Sequence, residues 1–510
     1  MKINKFYTMT LTVMLAASVA TPVQAGETKN LFLDAGPKQT HKDFKPAPAA
    51  IKTQFGDLSF VQGVFPDKKS AEKIYAEMDL QRATQAYMDF FPAASVYSIL
   101  KAQFRDFNLK SSSDVGVMAD FMTPSENYLT GNNVTVYAVA NIDLKIDGPT
   151  VMEAPPGMLG TVDDASFSYI TDIGLVGPDK GKGGKYLFVP PGYKGDIPDG
   201  YYVFHSRSYR IWPMMRVFGA VGTGDAALKW FKERLKIYPL ATGPREGNFI
   251  NVSGMGANTL PPEDGSYFEM LHEIIQYEPT ELFDKENLGR LATLGIEKGK
   301  PFNPDARMRG IFEQAAKQGV AMCRAIVFAS RDPEIRYWEG RQWEKMFVRN
   351  TEFLVNGHND VDARTLWFYP AIVISPHLLS TTPGAGTSYL TAFRDKEGTY
   401  LNGAKSYKLT VPANPPVKQF WAVTAYNPAS RSLLDSGGNI NVGSLGKPMM
   451  NKDGTVDVYF GPEAPKDKKL AKNWVKTDPS KGFFVVFRFY GPLEGFIDKT
   501  WMLNDFELVK

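Results

Sequence analysis

The sequence predicts a mainly β fold in which a helical region separates two strand-rich regions, and three observations carry that reading. Apolar residues alternate with period two from Phe121 to about Phe218 and again after Gly386, whereas helical spacing fills the stretch from about 224 to 350. Gly (45) and Pro (35) together make about 16% of the 510 residues against a usual share of about 12%, which suits a chain with many turns. With 43% hydrophobic and 13% aromatic residues the chain can bury a large core, so general disorder is excluded. Lys plus Arg (58) barely exceed Asp plus Glu (55), so no basic field points to nucleic acid.

The N-terminus opens with Lys2 and Lys5, continues in a mostly apolar run from Met9 to Ala20, and reaches Val23-Gln24-Ala25 ahead of Gly26. Small residues at the last position and two before it suit signal peptidase, so residues 1–25 are expected to be a signal peptide cleaved after Ala25. An N-terminal anchor is the competing reading, but the run falls short of the roughly 20 residues a spanning helix needs. No Cys follows it for lipid attachment, and no later segment is long and apolar enough to span a bilayer. The expected product is exported and soluble, periplasmic or secreted. Lys2 and Lys5 leave with the signal, taking most of the formal +3 with them.

Residues 26–55 are polar, with scattered Pro and Lys, and read as a flexible lead-in. From Ser70 the residues Ala71, Ile74 and Met78, then Ala83, Tyr87 and Phe90, follow helical spacing until Pro92, and a second helix follows to about Phe107. Strands are expected within Asn133–Leu144, at Ser166–Ile170, Lys185–Val189 and Tyr201–Phe204, and their short, even spacing argues for a sandwich or barrel. Residues 56–223 are therefore assigned to an N-terminal β-domain with leading helices. Residues 224–385 form a helical region and connection, with helices from Asp225 up to Pro239, Ser266–Tyr277, Lys285–Leu294 and Asp305–Ser330, the last with Asn303 as N-cap and Pro304 in its first turn. Residues 386–510 form a second antiparallel unit, with strands around Tyr389–Arg394, Ser406–Val411, Phe420–Tyr426, Val456–Phe460 and Gly482–Tyr490 and turns at Asp395–Gly398 and Asp453-Gly454.

Two stretches carry a family likeness. The run Asp172-Ile-Gly-Leu-Val-Gly-Pro-Asp-Lys-Gly-Lys-Gly-Gly-Lys-Tyr-Leu-Phe-Val-Pro-Pro-Gly-Tyr-Lys-Gly with Pro198-Asp-Gly-Tyr-Tyr-Val-Phe resembles the bacterial domain-of-unknown-function family 1254. Asn473-Trp-Val-Lys-Thr-Asp-Pro, Phe487-Arg-Phe-Tyr-Gly-Pro-Leu-Glu and Lys499-Thr-Trp resemble its usual partner, family 1214. The resemblance implies two jelly-roll-like β-sandwich domains joined through α-helices. It implies little about chemistry, since fold does not fix function.

The chemistry-bearing motifs each have a plain structural alternative. Gly181-Lys-Gly-Gly-Lys lacks the Ser/Thr and following helix of a Walker A loop, because Lys185 leads into Tyr186 and a strand. It remains a glycine-rich loop whose Lys182 and Lys185 could hold an anion, or a strand connection with solvated lysines. The five histidines, His41, His205, His272, His358 and His377, show no metal-ligand spacing, so no metal and no cofactor is expected. Arg207 and Arg210, interleaved with Tyr209 and Trp212, are candidates for an anion clamp beside His205 and Asp172, or for ion pairs between elements. Trp421, Tyr426, Asn473, Lys476, Arg488 and Tyr490 combine aromatic plates with donors that could bind a sugar or phosphate, or simply pack the second domain. Cys323 lies on the apolar face of a helix and reads as a buried structural thiol, with a nucleophile as the alternative. Val442-Gly-Ser-Leu-Gly lacks the first Gly of a nucleophile elbow.

Two functions follow as expectations. One is an exported hydrolase of phosphoester or other anionic ester substrates, with Arg207, Arg210, Lys182, Lys185 or Arg488 stabilising developing charge. The other is a non-catalytic envelope or ligand-binding protein for a small molecule, glycan, lipid headgroup or protein partner.

Overall fold

The computed structural model of the chain describes residues 48–62, 64–217, 221–379 and 382–509. The expected signal peptide, most of the lead-in and His41 lie outside the described residues. Contacts divide the chain into two units, Met1–Ile74 and Tyr75–Lys510, with the boundary inside helix Lys68–Asp89.

In the first unit, strands Ala50–Thr53, Gly56–Val61 and Phe65–Pro66 form a small antiparallel sheet. Asp67 caps the following helix by accepting from the Ser70 amide at 2.7 Å, and Ser70 Oγ in turn accepts from the Ser59 amide at 2.8 Å.

The second unit is mixed: across the chain strand and helix occur in near-equal shares, about 28% and 27%, in several sheets of which none closes. This corrects the expectation of a mainly β chain, and the reason is the helical content of residues 68–106 and 266–328. A seven-stranded sheet runs Tyr169–Ile173, Leu159–Asp164, Arg210–Val217, Val136–Ala140, Asp114–Met118 and Asn248–Asn251, with Ile142–Asp143 also paired to Arg210–Val217. A four-stranded sheet runs Tyr202–His205, Gly184–Val189, Thr150–Ala154 and Lys236–Pro239. Val117, Ala138, Val162, Ile211 and Met215 of the first sheet share one buried cluster with Met152, Tyr186, Phe188 and Ile237 of the second, completed by Phe231 of helix Asp225–Arg234. Alternation then turns Tyr137, Thr161, Asp163, Asp172, Trp212, Met214 and Arg216 to the opposite face; the register confirms them as neighbours, with Thr161 opposite both Asp172 and Met214, and Arg216 opposite Tyr137.

The helical spacing read up to Pro239 breaks at Leu235, which is extended, and Lys236–Pro239 becomes a strand because Ile237 enters the shared core. Tertiary pairing with Thr150–Ala154 outweighs local propensity there. Helix Ser266–Tyr277 falls where expected, and helix Ala306–Phe328 is capped by Asp305, whose carboxylate accepts from the Met308 amide at 2.7 Å, so the cap lies two residues beyond Asn303.

Toward the C-terminus a five-stranded sheet runs Glu344–Lys345, Thr387–Ala392, Phe484–Pro492, Val417–Tyr426 and Asn441–Gly443, and a four-stranded sheet runs Trp474–Lys476, Val456–Gly461, Tyr407–Val411 and Glu507–Leu508. Trp421, Val423 and Phe487 lie in one core cluster with Leu409, Val458 and Phe460. The opposite parity of the five-stranded sheet carries Tyr389, Arg488, Tyr490 and Tyr426, where Tyr389 pairs with Arg488 and Phe420 with Tyr490.

Candidate functional site

The residues singled out in the sequence do not gather into one site. Lys182 and Lys185 are exposed, and the amides of Gly174 and Gly183 that an anion would need already donate to the Asp179 carboxylate at 2.8 and 2.9 Å. The glycine-rich loop thus carries its own internal anion, and Lys185 stands 3.7 Å from Glu153. His205 is exposed at the end of an edge strand. Arg207 pairs with Asp164 at 2.7 Å, and Arg210 pairs with Asp143 at 3.2 Å while lying over the Tyr277 ring. The two arginines therefore serve separate carboxylates, and neither meets Asp172.

The C-terminal candidates divide in the same way. Trp421 stacks on Phe487 inside the core. Asn473 is buried and staples backbone, accepting from the Met449 amide and donating to the Met449 and Asp457 carbonyls. Lys476 lies along Gly438, where a Cβ would meet its side chain at 2.6 Å. Tyr426 donates to the Gly131 carbonyl, Tyr490 accepts from Asn132, and Arg488 donates to the Thr130 and Gly131 carbonyls and to Thr424. These three lock the loop at residues 130–132 against the five-stranded sheet. Cys323 is buried, and burial pushes its thiol up to about 12, which fits the structural reading.

A different set does converge. Between the Tyr137–Arg216 face and the Tyr389–Arg488 face lies a cavity of about 150 Å³ lined by Tyr137, Thr161, Asp172, Arg216, His377 and Tyr389 among others. Asp172 Oδ2 accepts from His377 Nδ1 at 2.7 Å, from Ser375 Oγ at 3.0 Å and from Tyr169 OH at 3.2 Å. A carboxylate beside Nδ1 selects the tautomer protonated there, which leaves Nε2 as the imidazole's acceptor. Ser375 Oγ also accepts from the His377 amide at 3.1 Å.

The loop bearing this pair is clamped to the sheet. The Ile374 amide donates to Asp163 Oδ2 at 2.9 Å, the Ile374 carbonyl accepts from Thr161, and the Val373 carbonyl accepts from the Trp367 indole at 2.8 Å. Val373 itself holds φ +63°, a left-handed conformation that a β-branched residue rarely adopts and that persists only where its surroundings impose it. Burial pushes the Asp163 carboxyl behind the loop well above its usual range, opposed by the Ile374 amide and assisted by Asp164 and Asp172. Among the described residues no group of three or more His, Cys, Asp and Glu is arranged to hold a metal ion, and no helix is long and apolar enough to cross a membrane.

A second buried carboxyl lies elsewhere in the same unit. Glu278 accepts from Tyr97 OH at 2.7 Å and from the Tyr209 and Arg210 amides at 2.7 and 3.3 Å. Burial outweighs these bonds and raises its carboxyl to about 7 from an ordinary 4.5. The folded chain then holds a proton that the unfolded chain releases between those values. Its contribution to stability is full below about 4.5 and lost as pH rises through about 7, on the order of 3 kcal/mol. Urea titrations from pH 5 to 8 are expected to show this decline, and Glu278→Gln, whatever its own offset, to flatten it; an unchanged slope in the variant would dismiss the assignment.

A family described as protein of unknown function DUF1254 matches residues 113–239, and protein of unknown function DUF1214 matches residues 386–494. The two matches fall in the order that the motifs indicate. A solved structure from Vibrio parahaemolyticus is similar at 17% identity over 85% of this chain and 100% of that one, with a TM-score of 0.51, and shares the fold alone. An uncharacterized protein from Burkholderia cenocepacia aligns at 11% identity over 86% and 97% of the two chains, with a TM-score of 0.39. No curated protein matches the chain.

The DUF1254 match supplies Tyr137, Asp172 and Arg216 to the cavity and the DUF1214 match supplies Tyr389, whereas Ser375 and His377 come from the segment between them. Sequence reasoning noted Asp172 but paired it with the wrong histidine, and it passed over Arg216. One signal was available: Arg216 shares its strand parity with Trp212 and Met214, a charged residue in line with apolar ones.

Proposed function

We propose that the cavity between the two sheets binds a small anionic ligand and hydrolyses it as an ester, with Asp172 orienting His377 as general base. The observation that carries this reading is the 2.7 Å bond between Asp172 Oδ2 and His377 Nδ1 in a cavity that Arg216 also lines. His377 Nε2 accepts a proton from a water molecule as the water oxygen bonds to the ester carbonyl carbon. The carbon–oxygen bond to the alcohol then breaks, and the imidazolium returns the proton to the leaving oxygen. Ser375 Oγ donates to Asp172 and so supports the dyad, which favours water over a seryl nucleophile.

The protein is proposed to act outside the cytoplasm, on the strength of its first 25 residues, and the cores shared between paired sheets support reading each pair as a jelly-roll-like sandwich. N-terminal sequencing of protein from the periplasmic fraction is expected to begin at Gly26. A panel of short carboxylate and phosphate esters, assayed with the purified mature chain, tests the chemistry. Turnover lost in His377→Ala supports it; ligand binding by calorimetry without turnover on any ester would assign the cavity to the non-catalytic binding reading instead.

A further inference from the structure

The cavity beside His377, the outer chamber, adjoins a second, inner chamber of about 80 Å³, and Tyr137, Met214, Val373, Leu378 and Tyr389 line both. The inner chamber is walled by Met122, Leu129, Met214, Met346, Trp367 and Ile372, apolar side chains with three adaptable thioethers. Its cation, Arg488, directs donors onto the Thr130 and Gly131 carbonyls and Thr424. Arg216 is the cation on the wall of the outer chamber, among Tyr137 and Tyr389.

Charge narrows the ligand further. Arg216 and Arg488 are the basic side chains lining the two chambers and Asp172 is the one carboxylate among the lining residues, so cationic groups outnumber carboxylates there by one. A monoanion balances that excess. A phosphate dianion would overshoot and face Asp172.

Resting on the hydrolase reading above, we propose that the substrate is an amphipathic monocarboxylate whose carboxylate is held at Arg216 and whose short apolar chain fills the methionine-lined chamber. The ester bond then lies in the outer chamber with His377, and chain length becomes the basis of selection.

The test is calorimetric titration of the mature chain with straight-chain carboxylates from acetate to octanoate, the matching primary alcohols, and inorganic phosphate. Affinity is expected to rise about fourfold per methylene until the inner chamber is full, with each alcohol at least about tenfold weaker than its acid. Met346→Phe, which fills the chamber, is expected to weaken octanoate about tenfold and leave acetate unchanged. The length series on the unaltered chain stands even if that variant misfolds. Acetate binding as tightly as octanoate, or phosphate binding more tightly than either, overturns the monocarboxylate proposal and leaves the anionic site standing. Binding of none of these anions overturns both.

Discussion

His377→Ala is expected to lower kcat/KM for the best ester by about 10²–10⁴-fold, the range that a positioned general base supplies. Asp172→Asn should approach the same loss, because an amide opposite Nδ1 no longer holds the imidazole in the tautomer that leaves Nε2 free to accept a proton. The double variant should then be little worse than either single one, as for residues that act as a unit. Binding of short carboxylates should change less than threefold in His377→Ala, since the anion is held at Arg216. That separation keeps the prediction apart from a general loss of structure. Retention of more than a third of the activity in His377→Ala would remove the imidazole from the mechanism.

The largest effect on stability is expected at Arg488. The residue is 3% exposed, and its guanidinium donates to the Thr130 and Gly131 carbonyls and to Thr424 and lies 5.6 Å from the centre of the Tyr426 ring. Arg488→Met roughly keeps the volume and removes three charged-donor bonds, leaving the Thr130 carbonyl without its donor and the Gly131 carbonyl with Tyr426 OH alone, where each lost bond to a charged group is worth about 1.5–3 kcal/mol. A loss of at least about 3 kcal/mol in denaturant unfolding is expected, with the unfolding midpoint shifted at constant slope. The paired control is Lys182→Ala with Lys185→Ala, both exposed, for which the midpoint should not move. An Arg488→Met chain as stable as the unaltered one, but deficient in anion binding, would return Arg488 to the role of a ligand clamp.

Arg488 illustrates how far the sequence reaches. Its place in Phe487-Arg-Phe-Tyr, on a strand of bulky residues, marks it as a charge where packing is expected, yet nothing local distinguishes a clamp for a ligand from a clamp for the chain's own carbonyls. The distinction rests on Thr130 and Gly131, more than 350 residues away in sequence. The glycine-rich loop is the reverse case. Its amides are legible as an anion cradle, and the occupant, Asp179, sits within the same motif; only the fold turns that carboxylate inward onto Gly174 and Gly183.

Periodicity and composition by themselves determined the strand-rich and helical stretches, several helix bounds and the plain burial of Cys323. Those properties depend on neighbours three or four residues apart, or two, and the sequence states them directly. Three matters waited on tertiary structure: that helical content would rival strand content, that Lys236–Pro239 would leave its helix for a sheet, and that Asp172 would meet His377. Each turns on which sheet faces which, and so on contacts across more than 80 residues for the strand and 205 for the dyad, whose enthalpy and burial outweigh any local preference.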